Sequence, residues 1–224
     1  MSFYERLQQE TANERAALYS VPQIVDGMQG LISRESYLAY LEQAYHHVKH
    51  TLPLLMAAGS RIPPEKEWLR RGFAEYIKEE TGHEDWILND IRNAGGDAEA
   101  VRQSTPSLPV ELMTSYAYDL VMRRNPIGFF GMVFVLEGTS TALAIYAAKA
   151  IQKSLHLHED CFSYLLSHGS LDINHMLFFE KTVNQITDPK DQEAIIHTAR
   201  VIYHLFAEMF RAIPHERAKE SEAA

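Results

Sequence analysis

Between Ile127 and Ala148 the chain runs for 22 residues with one charged side chain, Glu137. A helix this apolar on every side has to be buried all round, as the centre of a helical core or as a membrane span. Glu137 sits mid-run with Thr139, Ser140 and Thr141 just behind it, and the sequence holds no second run of this kind. A carboxylate at the middle of a bilayer is expensive, so the reading is a core helix in a chain with no membrane partner. The first residues, Met1 to Arg6, carry charge at once and lack the apolar stretch of a signal peptide.

The rest of the chain is punctuated for helices around that centre. Ser2 to Tyr19 has helical period, and Ser33 is placed to cap a helix through Tyr37, Leu41, Tyr45 and Val48 that Pro53 ends or kinks. Pro63-Pro64 open a helix over roughly Glu65 to Ala94, closed by Gly95-Gly96. Pro109 starts one ending near Arg124, and Pro126 opens the apolar helix, which runs to about Leu155. Helices over Glu159–Ser167 and Ser170–Ile186 follow, and Asp188-Pro189 start the last, which ends before Pro214. Alternating strand patterns with hairpin turns are absent. The sequence predicts an all-α, single-domain bundle of about seven to nine helices over residues 1–213, with a frayed polar tail over 214–224.

Composition narrows the function. Hydrophobic residues make up 46% and charged ones 23%, enough apolar material for a packed core. With 21 Lys+Arg against 30 Asp+Glu the net charge is −9, which argues against nucleic acid as a partner. The one cysteine, Cys161, excludes a disulfide framework and a cysteine-based zinc site, and a cytoplasmic location is expected.

Three segments group the residue types that ligate metals. Glu80 and His83 are three positions apart, so on one helix they share a face. Glu-x-x-His is an arrangement of carboxylate di-iron sites in helical bundles, and it also occurs on solvated helix faces. Glu137 follows ten largely apolar residues, Ile127 to Leu136. Buried there, it has to be paired, protonated or metal-bound; Arg123, a histidine or a tyrosine would serve as a structural partner. His168, Asp172 and His175 have offsets 0, +4 and +7, which at about 100° per residue fall on a stripe roughly 60° wide, provided Gly169 does not interrupt the helix. Two histidines and a carboxylate suit Fe(II), with open positions for oxygen chemistry; the same residues would also make a polar helix surface. Around such a centre His47, Phe129, Phe130, Met132, Phe134 and Met176 are candidates for a substrate pocket. His46 and His50 form an i, i+4 pair beside Lys49, and Cys161 has no base at a fixed spacing.

The segment Gly30 to Lys49, with Tyr37, Tyr40, Tyr45, His46 and His47, resembles the early helix of the heme-oxygenase-like superfamily that includes TenA and PqqC. Glu79-Glu80-Thr81-Gly82-His83-Glu84-Asp85-Trp86, a mid-chain glutamate and the His-x3-Asp-x2-His of residues 168–175 resemble its non-heme branch, the di-iron oxidases and oxygenases typified by the chlamydial death-domain-associating protein. The resemblance spans Gln23 to Phe210 and implies a heme-oxygenase-like bundle with Glu80, His83, Glu137, His168, Asp172 and His175 as ligands of iron. Some members place the first glutamate a turn further upstream of the histidine, where this chain has Tyr76, so Glu79 and Glu75 stand as substitutes for Glu80. The implied function is an iron-dependent oxidase or oxygenase, with two Fe(II) and O2 as co-substrate, acting on a small organic molecule. A homodimer is the expected assembly. Two alternatives stand beside it: a metal-free TenA- or PqqC-like enzyme of cofactor biosynthesis or salvage, and a non-catalytic helical interaction module.

Overall fold

The computed structural model describes residues 1–216, apart from the side chains of residues 168–174. In chain order the helices are α1 (Phe3–Glu10), α2 (Ala12–Tyr19), α3 (Pro22–Gln29), α4 (Arg34–Val48), α5 (Thr51–Ser60), α6 (Glu67–Glu80), α7 (His83–Asn93), α8 (Ala98–Gln103), α9 (Leu108–Arg123), α10 (Phe130–Leu155), α11 (Ser163–Val183) and α12 (Pro189–Ala212). Short 3-10 turns precede α6, α10 and α11, and no strand occurs among the described residues.

The apolar run forms the central helix. Pro126 opens a 3-10 turn in which Asn125 Oδ1 accepts from the Ile127 amide at 3.1 Å, and the chain then winds into α10. The first part of α10 is sealed, with Phe130 to Val135 and Glu137 all buried. Gly131 permits a close crossing with α12, since a Cβ there would lie 2.3 Å from the Ile195 carbonyl and 2.7 Å from the Ala199 amide. Helix α10 packs against α11, α12 and α3. By length and composition it would cross a membrane, but 61% of its most apolar window is buried inside the fold.

Caps account for several helix starts. Ser33 Oγ accepts from the Ser36 amide at 3.1 Å, and Asp188 Oδ1 accepts from the Lys190 amide at 2.9 Å. Elsewhere the chain breaks more often than its periodicity indicates, giving twelve α-helices among the described residues instead of seven to nine. The stretch from Ser2 to Tyr19 divides at Thr11, whose hydroxyl donates back to the Leu7 carbonyl at 2.8 Å. The expected helix over residues 65–94 divides between α6 and α7, where Thr81 is extended and Gly82 is left-handed at φ +91°. The opposite holds at Gly169: α11 runs through it, merging two expected helices.

The core has two parts. The larger surrounds the first half of α10 with Phe73, Phe130, Phe134, Phe179 and Tyr203. The smaller joins α4, α7 and the second half of α10 through Tyr37, Ile87, Leu88, Ala148 and Phe162. Beyond α12 the chain folds back. Ser36 Oγ donates to the Pro214 carbonyl at 2.6 Å, the Ser33 amide to the Glu216 carbonyl at 2.8 Å, and the His215 ring lies 2.8 Å from Asp26 Oδ2. His215 and Glu216, expected within a frayed tail, are therefore tied down; residues 217–224 lie outside the described residues.

Candidate metal centre

Glu80, Glu137 and His175 converge from α6, α10 and α11. Each offers one ligand-type atom, these atoms lie within 4.8 Å of one another, and all three residues are buried. Glu80 ends α6, and the Thr81-Gly82 break turns the chain so that His83 opens α7 facing back on it. His83 Nδ1 lies 3.0 Å from Glu80 Oε2. The two are thus not neighbours on one helix face, as their spacing suggests, but partners across an interhelical turn. The His83 ring also stacks on Trp86 with centroids 4.2 Å apart.

His175 contacts two carboxylates, with Nε2 3.0 Å from Glu79 Oε2 and Nδ1 3.8 Å from Glu137 Oε1. An ionised carboxylate only accepts hydrogen bonds, so in the neutral ring the proton sits on Nε2 and Nδ1 presents its lone pair towards Glu137. The same reasoning puts a proton on His83 Nδ1. Glu80 is the buried member of its segment, Glu79 is 43% exposed at the rim, and Glu75 is exposed. That distinction separates Glu80 from its two substitutes: Glu80 belongs to the converging group and Glu79 orients His175. Tyr76 sets its ring edge against His175 at 6.3 Å. His168 and Asp172 have side chains outside the described residues.

The arrangement fits a divalent cation. Two carboxylates and an imidazole lone pair face one buried point, and acceptors crowded together in low dielectric repel unless a proton or metal sits among them. Oxygen and imidazole donors of this kind suit Fe(II). Among the described residues, the basic groups paired with these acids are imidazoles. Arg123 and Arg124, a possible partner and its neighbour, pair instead with Asp119 at 3.3 and 2.6 Å.

A pocket of about 70 Å3 opens on Glu80 and Glu137, walled by Val48, Leu55, Phe129 and Met132. A second, larger cavity of about 120 Å3 adjoins it, and His47, Leu136, Ser140 and Tyr164 line both. His47 is therefore where a substrate pocket was expected, as are Phe129 and Met132. Phe130, Phe134 and Met176 line neither cavity. Phe130 packs on Phe73 at 4.9 Å, Phe134 stacks on Phe179 at 5.8 Å, and Met176 covers the larger core, because apolar helix positions mostly serve packing. Ser140 and Tyr164 carry no sequence signal that would have marked them.

The remaining candidates have separate partners. His46 Nε2 meets Ser104 Oγ at 2.8 Å while His50 Nδ1 meets the Tyr118 hydroxyl at 3.1 Å, so the pair does not chelate. Cys161 is buried, and burial together with Asp160 pushes its thiol pKa up, away from the thiolate a nucleophile needs.

Residues 38–207 match the family model described as iron-containing redox enzyme, and the chain belongs to that family, one of heme-oxygenase-like proteins. None of the curated proteins matches it. Among solved structures, a domain of unknown function with a heme oxygenase-like fold from Shewanella denitrificans OS217 superposes with a TM-score of 0.83 at 21% identity, covering 95% of this chain and 92% of that one. A TenA homologue from Pseudomonas syringae pv. tomato DC3000 gives 0.75 at 10% identity, covering 93% and 91%. Heme oxygenase-1 from the cyanobacterium Synechocystis sp. PCC6803, solved in complex with heme, gives 0.72 at 11% identity, covering 94% and 91%. At these identities the likeness is one of fold, and the heme-oxygenase-like bundle expected from the sequence is the fold found.

Proposed function

We propose that the protein is a non-heme iron oxidase or oxygenase that uses O2 on a small organic substrate, with a centre that takes two Fe(II). The observation that carries this reading is the convergence of Glu80, Glu137 and His175 within 4.8 Å in a buried pocket, in a chain of an iron-containing redox family. His83, His168 and Asp172 complete the proposed ligand set. Bound iron would supply the electrons that activate dioxygen.

The chain's own residues prepare that chemistry. Glu79 holds the His175 proton on Nε2 and so keeps Nδ1 directed inward. His83, in the geometry described, donates to Glu80 and fixes that carboxylate's rotation. Val48, Leu55 and Met132 exclude water from the pocket around the acids, which strengthens every charge interaction inside it. The adjoining cavity brings a substrate to the same wall.

The test is metal analysis after anaerobic loading with Fe(II). Retained iron that is lost in His175→Ala is the expected result. No retained iron in the wild type, together with wild-type behaviour of the variant, overturns the reading.

A further inference from the structure

The larger cavity has a composition that selects what it can hold. Among the described residues its lining includes no lysine, arginine, aspartate or glutamate. Ile24, Leu143, Ala144, Phe206 and Phe210 supply most of its surface character, and Tyr37 and Tyr40 stay protonated because burial raises both hydroxyls far above their ordinary range. Ile213, Pro214 and His215 also line it, and that histidine is already engaged with Asp26. Among the described side chains, an anionic group in this chamber would meet no lysine or arginine to offset its lost hydration.

Two further observations set size and orientation. An apolar cavity of about 150 Å3 holds benzene, and this one measures about 120 Å3. It therefore admits one ring or a chain of similar bulk. On the wall shared with the metal pocket, the buried Ser140 hydroxyl has no hydrogen-bond partner among the described residues. A buried hydroxyl left unmatched is costly, and a ligand's polar group would satisfy it.

We propose that this chamber is the substrate-binding site and that it takes an uncharged, benzene-scale molecule, or the uncharged ring-sized end of a larger one, whose single hydrogen-bonding group meets Ser140 beside the metal centre. The inference rests on the iron-centre reading for its catalytic meaning, but its binding test does not need iron. Phenol, toluene and benzoate are titrated into the metal-free full-length protein at pH 7.5 and followed by calorimetry. Phenol should bind at least about tenfold more tightly than benzoate, because only the anion loses its hydration uncompensated. Ser140→Ala should weaken phenol by about three- to tenfold, the worth of one hydrogen bond, and leave toluene unchanged. Ala144→Leu should weaken phenol and toluene together by filling the chamber. Should that variant fail to fold, a crystal of the wild type soaked in 4-bromophenol locates the ring by its bromine signal.

Benzoate binding as tight as phenol, an unchanged phenol affinity in Ser140→Ala, or bromine density outside the chamber overturns the proposal. Iron retention is measured separately. Discrimination for phenol without iron retention ends the centre reading alone, and the reverse result ends this one alone.

Discussion

Asp90 and Glu137 both carry a carboxylate into the interior, at 0% and 8% exposure. Around Asp90 the neighbours are donors. The Ser163 amide and hydroxyl reach Oδ1 at 2.9 and 2.5 Å, and the Tyr164 amide reaches Oδ2 at 2.8 Å. An acid from α7 thereby satisfies the open amides at the start of α11, whose own preceding residue, Phe162, has no side chain to do so. Around Glu137 the neighbours include acceptors: Glu80 and the inward face of His175. A buried acid ringed by donors is complete as it stands. One set among acceptors is arranged for a cation, and burial alone does not tell the two apart.

That contrast yields its largest expected effect at Glu137. Glu137→Gln removes a carboxylate charge from the converging group, so Fe(II) affinity should fall by more than about a hundredfold, beyond the ten- to hundredfold typical of groups that merely orient ligands. The metal-free protein should be as stable as wild type or more so, because a buried charge in a crowd of acceptors has gone. Iron titration and urea unfolding measure the two halves. A destabilised apo-protein with unchanged iron affinity would place Glu137 in the same category as Asp90.

Asp90→Asn is the converse. Its amide group would face the Tyr164 amide donor to donor, and stability should drop by about 1–3 kcal/mol. Iron affinity of the folded protein should be unaltered. Urea unfolding gives the first quantity, and metal analysis well below the melting temperature gives the second.

Much of this molecule can be read in advance, and the part that cannot has a physical cause. Proline and cap residues act locally, so Ser33, Pro109, Pro126 and Asp188 mark helix starts where the chain begins them. Glu80, Glu137 and His175 are legible as ligand types because a carboxylate after an apolar run, and imidazoles at helical spacing, are unusual enough to notice. What defeats the reading is sequence distance. Asp90 acts on residues 73 and 74 positions away, and alone on a helix it resembles any surface acid. The chamber collects its walls from α3, α4, α10, α11, α12 and the returning C-terminal segment, and no window of sequence contains it. Thr81-Gly82 misleads for another reason: the spacing of Glu80 and His83 is compatible with a continuous helix, so the glycine's left-handed turn is masked by a pattern that works without it.

A smaller effect sharpens the role of the rim. Among the described residues, Glu79 reaches the centre through His175 Nε2. Glu79→Gln should lower iron affinity by about tenfold, the low end for an orienting partner, since Glu79 is partly exposed. A pH titration of binding separates orientation from charge: a glutamine can accept from the same ring nitrogen, so the variant should keep the wild-type pH profile, whereas Glu79→Ala should shift it. An unchanged affinity in both variants would remove Glu79 from the site.

The smallest effect comes from histidines that have no part in the centre. His46 and His50 have pKa values lowered from the ordinary 6.5, chiefly by burial and next by Lys49. The hydrogen bonds agree with a neutral His46, whose Nδ1 lies 3.2 Å from the Lys49 ammonium and whose Nε2 lies 2.8 Å from Ser104 Oγ, itself donating to Glu42 at 2.7 Å. Because the folded pKa is depressed, the unfolded chain takes up protons first as pH falls. Stability is then complete above about pH 6.5 and declines as pH drops from there through the folded values. Melting temperatures across this range should fall for wild type and fall less steeply for His46→Asn. Iron loading should leave that difference in slope intact if His46 lies outside the centre; a slope difference that vanishes on loading would instead couple this histidine to the metal.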